Sequence, residues 1–213
     1  ASFYPGAMSE ARNIELGPIF ERHNGFDLVL IAPDDPEAML RHTDECRQHK
    51  VPFAADISQT LASLDGEAIK NLLVGAKFSF LNEYEMALAI KKTGWSKSDF
   101  LDNVEICVTT LGAKGARIES AGFDTIEIGV AKERAKIDPT GIGDAFRAGF
   151  ISALSWGMGW ESCAQVGSMV ATYCLETQGG QEYRFTRSQF LDRFEESYGS
   201  VARAVAEQHY PLA

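Results

Sequence analysis

The sequence predicts an α/β fold with a mostly parallel central sheet, and three observations carry that prediction. Short apolar runs alternate with stretches of helical length and pattern through residues 27–109. Glycine-rich segments stand at the ends of apolar runs, where an open parallel sheet gathers its ligand-binding loops. The 213 residues are 45% hydrophobic, enough for the core of one domain.

The elements follow in order. Residues 27–32 (DLVLIA) read as a buried strand, followed by a helix over 36–49. The next strand is 51–56, the next helix 66–73. A strand over 78–81 feeds a helix over 83–92, and 104–109 is a further strand. Residues 116–119 and 125–130 form a hairpin-like edge, and the remainder is helical over 143–156, 161–175 and 188–205. Such alternation covers a parallel sheet with helices on both faces, giving three layers. No linker, repeat or low-complexity tract divides the chain, so 1–213 reads as a single domain.

Composition narrows the partners. A net charge of −10 argues against nucleic acid or an anionic membrane. Cys46, Cys107, Cys163 and Cys174 lack C-x-x-C spacing and read as buried, reduced thiols, and the four histidines show no metal-site spacing. The apolar run 145–160 is too short and too broken to span a membrane, and residues 1–25 lack the pattern of a signal peptide. The expectation is a cytoplasmic protein.

The most informative stretch is Asp138-Pro139-Thr140-Gly141-Ile142-Gly143-Asp144-Ala145-Phe146. Small residues lead into a carboxylate, and the carboxylate into an apolar helical run. The first turn of a helix has unpaired N–H groups and the positive end of the macrodipole, so an anion binds there. Glycines at 141 and 143 let the backbone approach it. A carboxylate beside a phosphate is electrostatically costly unless it has work, and the natural work is taking a proton from an attacking hydroxyl. A plain helix start with Asp in its first turn is the competing reading. The stretch is neither a dinucleotide fingerprint, since Phe146 stands at the sixth position, nor a P-loop.

Two more segments bear on this. Thr110-Leu111-Gly112-Ala113-Lys114-Gly115 follows a strand and reads as a tight turn; Lys114 is either a charge near phosphates or a solvated lysine. Asn82-Glu83-Tyr84-Glu85 closes a strand and opens a helix, with Asn82 and Glu85 spaced as a capping box.

Together these three segments resemble the signatures of the ribokinase-like carbohydrate and nucleoside kinases. Residues 138–144 are similar to the family's Asp-Thr-x-Gly-Ala-Gly-Asp motif, departing at Pro139 and Ile142. The resemblance implies that Asp144 is the catalytic base and that Gly141, Ile142 and Gly143 form an anion hole. It implies that Asn82, Thr110, Gly112, Lys114 and Gly115 contact ATP, that Glu85 organises Mg²⁺ through water, and that Gly167 lines the adenine pocket. Asp138, Thr140 and the loop at Gly179 match ligands of a monovalent cation such as K⁺.

Within the family, residues 1–11 and 138–150 resemble the actinobacterial-type adenosine kinases. Phe3 matches an aromatic that packs on the substrate's adenine, although a terminal core aromatic is an equal reading. The implied activity is transfer of the ATP γ-phosphate to the 5′-hydroxyl of adenosine, in a homodimeric complete enzyme. A ribokinase- or fructokinase-type sugar kinase and a non-catalytic nucleotide-binding fragment are the alternatives. The resemblance further implies that this chain is the C-terminal two-thirds of a family member, lacking the opening strands, the β lid and a Gly-Gly segment on the sugar. An apolar sheet edge at 27–32 would then be exposed.

Overall fold

The computed structural model describes residues 4–211; Phe3 lies outside them. Six strands form one sheet in chain order: β1 (Val29–Ile31), β2 (Phe53–Ala55), β3 (Ala76–Asn82), β4 (Val104–Thr110), β5 (Ala116–Ser120) and β6 (Phe123–Ile128). The first four are parallel neighbours, with Val29 opposite Phe53, Ala54 opposite Phe78 and Phe78 opposite Ile106. The link between β5 and β6 is two residues long, which suffices only for an antiparallel turn. The mostly parallel α/β sheet expected from the alternation is present. β1 is shorter than its apolar run and stands at the sheet's edge, with Leu30 exposed.

The chain divides into two compact units. One holds β1–β4 with helices α1 (Gly17–His23), α2 (Pro36–Gln48), α3 (Gly66–Leu73), α4 (Glu83–Thr93) and α5 (Lys97–Asn103). Alternation along β3 and β4 explains its core. Leu81 and Cys107 point to the same side as Ala55 and join a cluster with Met39, Ile69, Leu72, Leu73 and Phe100. Phe78, Phe80, Ile106 and Val108 lie on the opposite side of the strands and are also buried. A strand buried on both faces reads as a continuous apolar run, as Phe78-Ser79-Phe80-Leu81 does.

Most helix starts in this unit are fixed by side-chain caps. Asp35 accepts from the N–H groups of Glu37 and Ala38, and Asp65 from that of Ala68. Asn82 with Glu85, and Ser96 with Asp99, form reciprocal capping boxes. The turn after β2 is pinned by Lys92, whose Nζ donates to the carbonyls of Leu61, Ala62 and Leu64 at 2.7–2.9 Å.

The other unit holds α6 (Ile142–Ser155), α7 (Trp160–Leu175) and α8 (Arg187–His209), the last broken at Gly199. α6 and α7 cross at close range because glycines meet there. A Cβ on Gly149 would lie 2.9 Å from the Cα of Gly167, and one on Gly167 would lie 2.7 Å from the Phe146 carbonyl oxygen. Phe150 on α6 and Cys163, Ala164 and Met169 on α7 are fully buried. All four cysteines are buried, and burial pushes the Cys163 thiol up to about 12. No helix among the described residues is long and apolar enough to cross a membrane.

Candidate active site

The start of α6 is built differently from the capped helices. Its N-cap is Gly141 in a left-handed conformation (φ +79°), which brings no side-chain oxygen to the first-turn N–H groups. Its carbonyl accepts from Ala145 N–H at 2.8 Å, so the helix winds from there. Only glycine fits, because a Cβ would sit 2.9 Å from the Cα of Gly180 as well as straining the backbone. What remains is a helix end whose dipole and first N–H groups favour an anion.

The turn leading into it is braced from below. Asp138 accepts from Thr140 N–H at 2.9 Å through one oxygen, and from Gly179 N–H and Gln178 Nε2 at 3.0 and 2.9 Å through the other. The Thr140 hydroxyl and N–H, then the Gly179 N–H, hold the Asp138 carboxyl below the usual carboxylate range. The N–H groups of Ile137 and Asp138 both donate to the Leu175 carbonyl at the end of α7. The Cys174 thiol donates to the carbonyl of Thr140 at 3.3 Å and lies 3.7 Å from that of Gly180. Loops 138–141 and 178–180 are therefore one packed substructure, and Asp138, Thr140 and Gly179 are brought together in it.

Asp144 stands on the first turn of α6 with 78% of its side chain exposed, ion-paired to Arg147. Gly143 is helical rather than left-handed, and what a Cβ there would meet is the Arg147 guanidinium, at 3.3 Å. Arg147 lies outside the glycine-aspartate signature. Its signal was its position three residues after Asp144, on the same helix face.

Residues 112–115 belong to the same unit. Leu111 N–H donates to the Gly115 carbonyl at 2.8 Å, closing a tight turn that leaves Gly112 and Lys114 exposed. Gly115 is obligatory, since at φ +104° its Cβ would lie 1.8 Å from the Ile128 carbonyl oxygen. Gly167 is buried in the α6–α7 crossing, and that packing is sufficient reason for a glycine.

In the strand-bearing unit, Asn82 and Thr110 face each other across the β3–β4 ladder at the carboxyl ends of both strands. Asn82 Oδ1 accepts from Glu85 N–H and Glu85 Oε2 accepts from Asn82 N–H, both at 2.8 Å. The capping role is thus real, and it commits one Glu85 oxygen. A neighbouring feature had no sequence signal. The buried Asp56 at the end of β2 accepts from the Ser58 hydroxyl at 2.6 Å, and Ser58 adopts φ +40°. No group of three or more metal-binding side chains occurs among the described residues.

A profile of the pfkB family carbohydrate kinases matches residues 2–185. The chain belongs to the pfkB family. The match runs through both units of this pfkB-family chain. A nucleoside kinase of Methanocaldococcus jannaschii is 31% identical over 169 residues, covering 79% of this chain and 55% of that protein. A cytidine kinase of Thermococcus kodakarensis is 26% identical, covering 82% of this chain and 64% of its own length. Among solved structures, the Burkholderia thailandensis nucleoside kinase in complex with inosine superposes with a TM-score of 0.87 at 32% identity. That match covers 93% of this chain and 65% of the solved one. A second structure of the same protein is a complex with ADP-inosine. The fold is ribokinase-like, as expected. The relatives are named as a nucleoside kinase and a cytidine kinase, and the solved one is bound to inosine, so they support the nucleoside and sugar kinase family without singling out the adenosine kinases.

Proposed function

We propose that the protein is an ATP-dependent nucleoside kinase that phosphorylates a 5′-hydroxyl, with adenosine as its acceptor. The observation that carries this is the glycine-capped start of α6, open to an anion, with an exposed carboxylate on its first turn. Asp144 takes the hydroxyl proton as that oxygen attacks the γ-phosphorus. The bond to the β-phosphate oxygen breaks, and ADP leaves with its electron pair. The N–H groups of 141–143 and the helix dipole stabilise charge on the transferred phosphoryl oxygens. Thr110, Gly112, Lys114 and Gly115 are assigned to the nucleotide, and Asn82 with Glu85 to Mg²⁺ and its waters. Mg²⁺ would supply charge neutralisation on the phosphates. Phe3 is assigned to the nucleoside base.

A radiolabelled-ATP assay of the protein on adenosine, inosine, cytidine, ribose and fructose tests the reading. Labelled adenosine monophosphate as the fastest product is expected. Faster transfer to ribose or fructose would move the assignment to a sugar kinase, the reading that the family's description as carbohydrate kinases favours. No transfer to any acceptor would defeat both.

The braced turn beneath the anion hole is assigned to a monovalent cation. Asp138 supplies the anionic ligand, with the Thr140 hydroxyl beside it. Gly179 meets Asp138 through its N–H, so only its carbonyl is available to an ion. Replacing K⁺ by tetramethylammonium at fixed ionic strength is expected to lower kcat, because the turn that shapes the hole loses its counter-charge. Equal rates in the two salts would remove the ion from the scheme.

A further inference from the structure

The geometry points to Arg147 as a further catalytic residue, whose guanidinium holds the Asp144 carboxylate and binds the transferred phosphoryl oxygens. The inference rests on the kinase reading above and extends it to a residue outside the glycine-aspartate signature.

Side chains on a helix lean toward its N-terminus, so Arg147, one turn into α6, reaches back to the first turn. It arrives there: a Cβ on Gly143 would lie 3.3 Å from Nη1 and 4.0 Å from Cζ. Gly143 is thus the residue that makes room for the guanidinium. A cation at this end of a helix opposes the macrodipole, which favours cations at the C-terminus. Placing one beside uncapped N–H groups becomes favourable when an anion of more than one charge occupies the same point.

Stability does not account for the ion pair. Asp144 is 78% exposed, and pairs with so open a partner contribute little. The exposures are unequal in the useful direction: the Arg147 side chain is only 15% exposed. The protein fixes the cation and leaves the carboxylate open to a substrate hydroxyl. A guanidinium carries its donors in a planar fork that serves two oxygen acceptors at once, which an ammonium cannot reproduce. One arm on Asp144 and another on the phosphoryl group would set the base in line with the attacked phosphorus.

The test compares wild type, Arg147→Met, Arg147→Lys and Arg147→Ala in the full-length protein. Arg147→Met is expected to lower kcat by about a hundredfold, the scale for losing one charge-stabilising donor, with the nucleoside KM changed less than threefold. Affinity for ADP with aluminium fluoride and nucleoside, a planar mimic of the transferred group, should fall in parallel while affinity for ADP alone is kept. Millimolar guanidinium ion should restore part of the Arg147→Ala rate, and tetramethylammonium should not. Arg147→Lys keeps the charge and loses the fork, so it should remain at least tenfold slow; it carries the test if the Met variant melts early. Wild-type kcat in the Met or Lys variant, or unchanged affinity for the aluminium fluoride complex, would overturn the assignment while leaving the kinase reading intact. A wild type that phosphorylates no acceptor would remove the kinase reading and this inference with it.

Discussion

Asp144→Asn is expected to lower kcat by about 10²–10⁴-fold, the usual contribution of a general base, with ATP affinity nearly unchanged. The amide matches the carboxylate in shape and still accepts a hydrogen bond from Arg147, so the start of α6 keeps its geometry. It cannot take a proton, and the attacking hydroxyl must then lose its own to water. Because the Asp144–Arg147 pair is largely exposed on the carboxylate side, the melting temperature should barely move. Loss of rate without loss of fold separates a chemical role from a structural one. Turnover within twofold of wild type would take Asp144 out of the reaction. Single-turnover measurement with bound ATP is the decisive form, since product release would otherwise mask the chemical step.

The sequence made the strands and the capped helices legible for a physical reason. A β-strand buried on both faces must be a short apolar run, and a helix start is marked in sequence where nearby polar side chains satisfy its first N–H groups. Asn82 and Glu85 carry this spacing in the sequence, and the reciprocal bonds are there. A similar spacing at Ser96 and Asp99 opens the short helix α5 with a complete capping box, an element outside the sequence-based expectation. α1 was missed because seven residues carry too little periodicity to read.

The candidate site was half legible. Glycines are visible in a sequence, but the reason for each is not. Gly141 is required by its backbone angle and by Gly180, and Gly167 by helix crossing, whereas a Cβ at Gly143 would crowd only the end of the Arg147 side chain. Only a structure separates these cases. Arg147 was hidden because an arginine in an apolar run reads as a solvated interruption. Cys174 and Leu175 were hidden because their contacts to 138–140 join positions some thirty-five residues apart, a pairing without local pattern.

The second large effect is expected at Arg193, which braces the segment leading into that site. Its guanidinium is 3% exposed and donates to both oxygens of Glu176 and, at 2.9 Å, to the Lys132 carbonyl. It also stacks over the Tyr173 ring at 4.7 Å. Glu176 in turn accepts from Arg134 N–H, so the pair ties α7, α8 and residues 132–134 into one body. Arg193→Met keeps much of the stem and deletes the charge, leaving a largely buried carboxylate without its counter-ion. Breaking such a pair costs about 3–5 kcal/mol, and in a chain of this size that is a fall in Tm of roughly 6–20 °C. Burial pushes Glu176 up, but the hydrogen bonds from Arg193 and the backbone outweigh it and hold the carboxyl below its usual range. In the wild type this contribution is therefore complete above the ordinary glutamate pKa and is lost as pH falls through the lower folded value. In the variant the Arg193 contribution is gone and only backbone N–H groups such as that of Arg134 oppose the burial, so protonating Glu176 relieves the penalty. The deficit should accordingly be largest near pH 7 and shrink below about pH 4. Urea melts of both proteins at the two pH values measure it. A deficit of equal size at both would place the effect in lost packing, and adding Glu176→Gln to Arg193→Met should then restore nothing.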